Sequence, residues 1–129
     1  MRQVDVVGAV IVNGAGEVLC AQRSDRMAQP GLWEFPGGKI EPGESPAQCL
    51  RREIREELHC EIEVGELIAD ITHPYPEITV RLLTYRARLV GGTPTPTEHA
   101  RLAWVPVAEL ARLPWAPADI PTVERLQRG

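Results

Sequence analysis

The sequence has few of the residues that cross-link small secreted domains or hold structural zinc. Its three cysteines, Cys20, Cys49 and Cys60, form no Cys-x-x-Cys pair and have no histidine at zinc-finger spacing. Neither a disulfide framework nor a structural zinc site is therefore indicated. A chain of this length can bury about two thirds of its unfolded surface without such cross-links. We expect one domain over residues 1–129, located in a reducing cytoplasm.

Long apolar runs and an excess of basic charge are also missing. No stretch approaches the roughly 18 apolar residues that a membrane-spanning helix requires. The formal net charge is −4, whereas domains that bind nucleic-acid polymers are usually basic because they neutralise phosphates. We therefore expect neither a membrane nor a nucleic-acid polymer as partner. A small anionic ligand stays open, since bound metal ions can neutralise its charge.

The pattern of apolar, glycine and proline residues predicts a mixed α+β fold. Residues 4–12 and 17–23 flank the turn sequence Asn13-Gly-Ala-Gly and are predicted to pair as a hairpin. The Pro36-Gly37-Gly38 segment is predicted to be a turn. Further strands are predicted at residues 32–35, 61–72, 79–90 and 101–105, and short helices at 107–113 and 121–127.

The strongest helix pattern begins after Ser45. Ser45 is predicted to be the N-cap, Pro46 takes the favoured first helical position, and Gln48 completes a capping box. Apolar residues then recur at helical spacing and predict one buried stripe, formed by Ala47, Leu50, Ile54 and Leu58.

Three acids of this helix are placed on one face. Glu53, Glu56 and Glu57 are spaced i, i+3 and i+4, and like charges at this spacing destabilise a helix unless a cation lies between them. Crowded carboxylates suit Mg²⁺ or Mn²⁺. On the helix alone, a solvated face with salt bridges to Arg52 is an equally good interpretation. The preceding glycine pair, which lets backbone approach a ligand, and Glu44 near the helix start favour a binding site.

These residues carry a family resemblance. Gly38, Glu44 and the run Arg52-Glu-Ile-Arg-Glu-Glu57 match the Nudix box, Gx5Ex7REUxEExGU, through its first 20 positions. His59 stands where the family has glycine and Cys60 where it has an aliphatic residue, which predicts a cost at the end of the helix. The resemblance implies the Nudix fold, an α/β/α sandwich around a central mixed β-sheet.

The resemblance also implies roles for individual residues. Divalent metal, Mg²⁺ or its substitute Mn²⁺, would be bound by the Gly37 carbonyl and by Glu53, Glu56, Glu57 and Glu98. The residues implied in catalysis, as acids, bases or groups that orient them, are Glu44, Arg52, Glu53 and Glu98. The residues implied in substrate binding are Arg23, Glu34, Phe35, Pro36, Gly37, Lys39 and Asp119, with Arg23 and Lys39 supplying positive charge.

Segments 32–45 and 116–121 resemble the MutT-like group of the family. This implies hydrolysis of a nucleoside triphosphate to monophosphate and pyrophosphate, as in the removal of oxidised nucleotides such as 8-oxo-dGTP that serves DNA repair. Similarity to CTP pyrophosphohydrolases is the alternative, and a Nudix module that binds nucleotides without hydrolysis is a third. Relatives occur as monomers and homodimers, so either state is expected.

Asp119 bears on the choice of base. It matches an Asn of the bacterial 8-oxo-guanine enzyme, and an ionised carboxylate only accepts hydrogen bonds whereas an amide also donates them. Asp119 would then favour an N–H edge such as the amine of cytosine. A tilted oxidised guanine fits as well, as does a carboxyl kept protonated by burial. Without a ligand role, Asp119 would simply cap the helix that begins near Pro121.

Overall fold

The computed structural model describes residues 2–129. The strands are β1 (Gln3–Ile11), β2 (Glu17–Gln22), β3 (Trp33–Glu34), β4 (Gly37–Lys39), β5 (Glu61–Pro74), β6 (Thr79–Gly91) and β7 (Arg101–Pro106). The helices are α1 (Pro46–Leu58), α2 (Ile120–Arg128) and two short 3-10 helices at Val107–Arg112 and Pro117–Asp119. No helix within residues 2–129 is long and apolar enough to cross a membrane.

The strands form two sheets. The larger sheet has the order β4-β1-β6-β5; β1 and β6 run parallel over nine residue pairs, and the other neighbours are antiparallel. The smaller sheet has the order β3-β2-β7 and is antiparallel throughout. The predicted mixed α+β class is confirmed, and the mixed sheet is accompanied by a second sheet.

Helices cover both faces of the larger sheet. Along β1, Val7, Ala9 and Ile11 are buried in one core cluster together with the apolar residues of α1. Val10 points the other way, into a second cluster that includes Val123 of α2. This alternation follows from the two-residue period of a strand and fits the layered arrangement expected for the fold.

The predicted hairpin of residues 4–12 and 17–23 is wrong, although both strands form. The turn itself is made, since the Asn13 side chain accepts the backbone N–H groups of Ala15 and Glu17. Beyond the single bridge from Val12 to Val18, the strands diverge into different sheets. The turn sequence encodes a local reversal of the chain, whereas β4 occupies the edge of β1 on which Asn13 meets Glu17.

The predicted turn at residues 36–38 is also corrected. Gly37 and Gly38 belong to β4 and pair with Gly8 and Val7 of β1. A methyl group on Gly37 would overlap the carbonyl oxygen of Val7, and one on Gly38 would overlap the carboxylate of Glu53. The glycines are required by close approach of the chain rather than by a turn conformation.

Helix α1 begins and ends close to where its sequence predicts. Ser45 accepts the N–H of Gln48, and the Gln48 side chain accepts the N–H of Ser45, so the capping box is confirmed. The fully buried residues of α1 are Cys49, Leu50, Ile54 and Leu58; Ala47 is only partly buried. His59 ends the helix in the left-handed conformation at φ 55°, as the glycine of the family pattern would.

Substituting Gly37 by alanine tests the contact between β4 and β1. Because the new methyl group meets backbone that cannot rotate away, we expect Gly37→Ala to lower the free energy of unfolding by about 2–3 kcal/mol, measured by urea denaturation. Gly14→Ala is the matched control, since a methyl group there meets nothing within 4 Å. Equal stability of the two variants would contradict the close approach described above.

Candidate active site

A cavity of about 720 Å³ lies between β4 and the turn that joins β5 to β6. Gly37 and Gly38 line it, together with apolar residues of β1 and β6. Its charged lining residues are Arg23, Glu34, Glu57, Glu77 and Asp119. Since Glu57 belongs to α1 and Asp119 ends the second 3-10 helix, the cavity joins the acidic helix to the C-terminal segment.

Arg52 forms hydrogen bonds with several acids on and near α1. Its guanidinium donates to Glu44 at 2.6 and 2.9 Å, to Glu53 at 3.3 Å and to Glu56 at 3.2 Å. The hydrogen bond from Arg52 lowers the pKa of Glu44 to about 2. Arg52 does not line the cavity, so its geometry suits a residue that orients these acids rather than one that touches substrate.

Glu57 is the acid of α1 that lines the cavity. Burial, followed by the negative charges of Glu53, Glu34, Glu98 and Glu56, raises the pKa of Glu57 to about 8. Its buried Oε1 atom has no hydrogen-bond partner within residues 2–129. A buried carboxylate oxygen without a donor is costly, which points to a cation or a proton as its partner in the working protein.

Glu98 lies in the loop between β6 and β7 and its side chain is exposed. The loop is tied to the end of α1, since Thr97 donates its hydroxyl to the Glu57 carbonyl at 2.7 Å and Thr95 donates its N–H to the Leu58 carbonyl. These bonds bring Glu98 near enough for its charge to raise the pKa of Glu57. The structure thus gathers the acids of α1 and Glu98 in one region.

The same acids fit a hard divalent cation by chemistry. In the described chain, no three acid, histidine or cysteine side chains lie close enough together to hold a metal ion. Arg52 pairs with two of the acids, Glu53 and Glu56. The available donors are nevertheless all oxygens, one of which is the unpartnered Oε1 of Glu57. Burial also raises the pKa of Glu53, so a cation would stabilise two carboxylates that the protein alone does not.

Asp119 occupies the part of the cavity beside Phe35. It is 5% exposed, and its Oδ1 atom accepts the backbone N–H of Phe35 at 3.1 Å. Burial, followed by the charge of Glu34, raises the pKa of Asp119 well above its usual range. Asp119 makes no side-chain cap of α2, so it is positioned by Phe35 and not by the helix. The Phe35 ring itself packs on the Trp115 ring within the core, with 4.7 Å between the ring centroids.

Arg23 and Glu34 form an ion pair that borders the cavity. Arg23 also donates its Nε–H to the Ala28 carbonyl, so two of its guanidinium nitrogens have protein partners. The second oxygen of Glu34 lies 2.8 Å from Nε2 of His99. His99 is buried, which the sequence did not indicate; its place next to Glu98 was the only available signal.

Pro36 and Lys39 do not line the cavity, among the residues that the structure describes. The Pro36 carbonyl accepts the N–H of Ala9 and the residue is fully buried, because β4 lies flat against β1. The Lys39 side chain is exposed. The structure therefore places both of these predicted substrate-binding residues outside the cavity.

The turn between β5 and β6 is a part of the site that the sequence did not reveal. Tyr75, Pro76, Glu77 and Ile78 all line the cavity. The Tyr75 hydroxyl accepts the backbone N–H of Ala118 at 3.0 Å, which links this turn to the segment that carries Asp119. No local motif marks such a contact, because its partners are 43 residues apart.

Comparison with known proteins decides the family. The NUDIX domain model matches residues 2–126. The chain belongs to the Nudix family. Glu53, Glu56 and Glu57 of the Nudix box lie on α1, and its first glycine, Gly38, lies on β4. Proteins of this family generally need divalent metal ions.

Individual Nudix relatives cover nearly the whole chain. The CTP pyrophosphohydrolase of Escherichia coli is 42% identical over 124 residues, covering 96% of this chain and 91% of the relative. The 8-oxo-dGTP diphosphatase of Escherichia coli is 27% identical and covers 99% of each chain. The solution structure of MutT from methicillin-resistant Staphylococcus aureus 252 is 45% identical, with a TM-score of 0.80 and 99% and 98% of the two chains covered.

The raised pKa of Glu57 predicts how the stability of the metal-free protein depends on pH. The carboxyl takes up a proton below about pH 8 when folded but only near its ordinary pKa of 4.5 when unfolded. Its contribution to stability is therefore complete below 4.5 and is lost as pH rises through 8. The slope reaches at most about 1.4 kcal/mol per pH unit.

We expect Glu57→Gln, which stays neutral, to lack this loss. We expect urea denaturation in EDTA between pH 5 and 8.5 to show that the free energy of unfolding of the variant, relative to that of the native chain, increases as pH rises. Other titrating groups affect both proteins alike, so parallel curves would mean that Glu57 is not a buried, proton-binding carboxyl.

Proposed function

We propose that this protein hydrolyses a nucleoside triphosphate to a nucleoside monophosphate and pyrophosphate, using Mg²⁺ or, as a substitute, Mn²⁺. The proposal rests mainly on the position and the surroundings of Glu57. This residue connects the acidic face of α1 with a cavity large enough for a nucleotide, and its unpartnered, buried oxygen requires a cation or a proton. The 42% identical relative, named a pyrophosphohydrolase, supports the same reaction.

The reaction needs a water molecule to attack phosphorus while one phosphoanhydride bond breaks. Bound divalent metal would lower the pKa of that water and neutralise the phosphate oxygens. Glu53, Glu56, Glu57, Glu98 and the Gly37 carbonyl are the groups we propose to hold it. Glu98 or Glu53 would accept the proton of the water, and Arg52 with Glu44 would keep the acids in place.

The base would lie between Glu34 and Asp119. Because burial raises the pKa of Asp119, we propose that this carboxyl is protonated, with Oδ1 accepting from Phe35 and Oδ2 donating to the base. A base then needs an acceptor beside an N–H donor. The O6 and N7–H edge of 8-oxo-guanine offers this pair, whereas the corresponding edge of unmodified guanine offers two acceptors. We therefore favour an oxidised purine triphosphate as substrate.

A cytidine triphosphate is the second candidate. Its N3 and amino group also place an acceptor beside a donor, and the 42% identical relative is named a CTP pyrophosphohydrolase. For the chain as a whole we propose one Nudix domain that acts in the cytoplasm, an environment that suits its three free, buried cysteines.

The first test is hydrolysis by purified protein with Mg²⁺ of 8-oxo-dGTP, dGTP, CTP, 5-methyl-dCTP, dATP and ADP-ribose, with products separated by chromatography. We expect a triphosphate whose base has the donor and acceptor pair to give monophosphate and pyrophosphate fastest. If a nucleotide binds and none is hydrolysed, the protein is a binding module. Preferred cleavage of ADP-ribose would exclude the proposed substrate class.

Substitution of Asp119 tests the recognition of the base. Asp119→Asn keeps a donor and an acceptor and should retain the preference for 8-oxo-dGTP over dGTP. Asp119→Leu should reduce that preference by about 10- to 100-fold. Ratios of kcat/KM between pH 6 and 9 give the measurement. The preference of the native chain should fall as pH rises and Asp119 ionises, while that of Asp119→Asn should not. Asp70→Asn, an exposed carboxyl paired with Arg81, is the control.

Substitution of Gly38 tests the placement of Glu53 and the binding of metal. The methyl group of Gly38→Ala would displace a carboxylate that can rotate, so we expect a smaller loss of stability than for Gly37→Ala. The rise in melting temperature that Mg²⁺ gives should be reduced, and kcat/KM should fall by about 10- to 100-fold. Full Mg²⁺ stabilisation of Gly38→Ala, with Gly14→Ala as control, would argue against metal binding by Glu53.

A further inference from the structure

His99 is a buried imidazole that the hydrolytic reaction described above does not use. Its side chain is 1% exposed, and its Nε2 atom lies 2.8 Å from Oε2 of Glu34. The other oxygen of Glu34 is held by Arg23. The Glu34 carboxylate thus has a protein donor on each oxygen, and both donors lie on elements other than β3.

The surroundings of His99 determine its tautomer. Glu34, already paired with Arg23, acts as acceptor, so the imidazole must donate its Nε2–H. The buried Nδ1 atom has no hydrogen-bond partner among residues 2–129, which is compatible with a lone pair there and costly for an N–H. In the hydrogen bond between the two side chains, His99 Nε2–H is therefore the donor and the Glu34 carboxylate the acceptor.

His99 also belongs to the loop that carries Glu98. On one side of Glu98, the Thr97 hydroxyl binds the Glu57 carbonyl of α1, at 2.7 Å. On the other side, His99 binds Glu34 and Ala100 donates its N–H to the Gln22 carbonyl of β2, at 2.9 Å. The exposed Glu98 side chain is thereby held on a backbone that is fixed at both ends.

We propose that His99 is a positioning residue that links the base-binding carboxylate Glu34 to the loop that carries Glu98. This inference rests on the proposed function. One hydrogen bond would then serve two purposes, since it orients the acceptor that meets the base and fixes the backbone beside a proposed metal ligand or general base. Loss of the bond should affect KM through Glu34 and kcat through Glu98.

The test uses the full-length protein and the best triphosphate of the panel. We expect His99→Leu to lower kcat/KM by about 10- to 100-fold, with changes in both kcat and KM, because it leaves the Oε2 atom of Glu34 without its donor. His99→Gln supplies an N–H at a similar position and should recover kcat/KM to within about fivefold of the native value. A His99→Gln protein as impaired as His99→Leu would contradict the role of this donor.

A double-mutant cycle distinguishes positioning from general loosening of the fold. If His99 acts through Glu34, the variant that combines His99→Leu with Glu34→Gln should be no worse than the more impaired single variant, within about threefold. Thr97→Val, which releases the same loop without touching Glu34, should combine additively with Glu34→Gln. Additive effects of His99→Leu and Glu34→Gln would overturn the proposal.

A spectroscopic measurement makes the inference independent of hydrolysis. In the ¹⁵N-labelled native protein, the Nε2 atom of His99 should show the signal of a protonated ring nitrogen, and Glu34→Gln should shift that signal. An Nε2 atom without a proton would refute the proposal. Absence of hydrolysis for the whole panel would refute the proposed function instead, and the ring spectrum would still decide the role of His99.

Discussion

The guanidinium of Arg52 forms ion pairs with four glutamates, Glu41, Glu44, Glu53 and Glu56. It offsets the repulsion between Glu44, Glu53 and Glu56, which otherwise would destabilise the start and the exposed face of α1. It does not reach Glu57, whose pKa is raised to about 8 by burial and by its acidic neighbours. Arg52 therefore neutralises part of the acidic cluster. Glu57, the part that faces the cavity, is left to be neutralised by a bound cation or a proton.

The two sheets explain how this cluster comes to face a cavity. Helix α1 packs on one face of the larger sheet, and the glycines of β4 bring backbone against the Glu53 carboxylate. The second core cluster, built around Phe35 and Trp115, holds the segment that ends at Asp119. Because β3 and β4 are separated by only Phe35 and Pro36, a short stretch of chain connects the acidic end of the cavity with Asp119.

Local features of the sequence were sufficient to predict α1, since its cap, its first proline and its apolar period all lie within one segment and act through nearest neighbours. The same holds for most strand positions. The pairing of the strands could not be predicted from such local features. The Asn13 turn forms as predicted, yet β1 pairs with β6, which is about 75 residues away along the chain. Gly37 and Gly38 were expected in a turn because a contact with Val7 or Glu53 leaves no mark on the residues beside them.

The site divides in the same way. The acids of α1 could be identified because their spacing on a helix fixes their common face. Glu98 and Asp119 came from resemblance to a family, and the environment of each became visible only with the fold. His99 and Tyr75 could not be identified, since the importance of both depends on a single partner more than 40 residues distant. Lys39 was predicted to bind substrate because it follows the two glycines, but its side chain is exposed and lies outside the cavity.

The left-handed His59 has an effect beyond the shape of the helix end. By stopping α1 at Leu58, it leaves the carbonyl groups of Glu57 and Leu58 without the amide partners that one more helical turn would supply. Thr97 and Thr95 take those places. A longer helix would consume both acceptors internally and release the segment bearing Glu98. The left-handed conformation of His59, which is strained for a residue with a side chain, thus leaves free the two carbonyl groups that hold the segment bearing Glu98, 39 positions downstream.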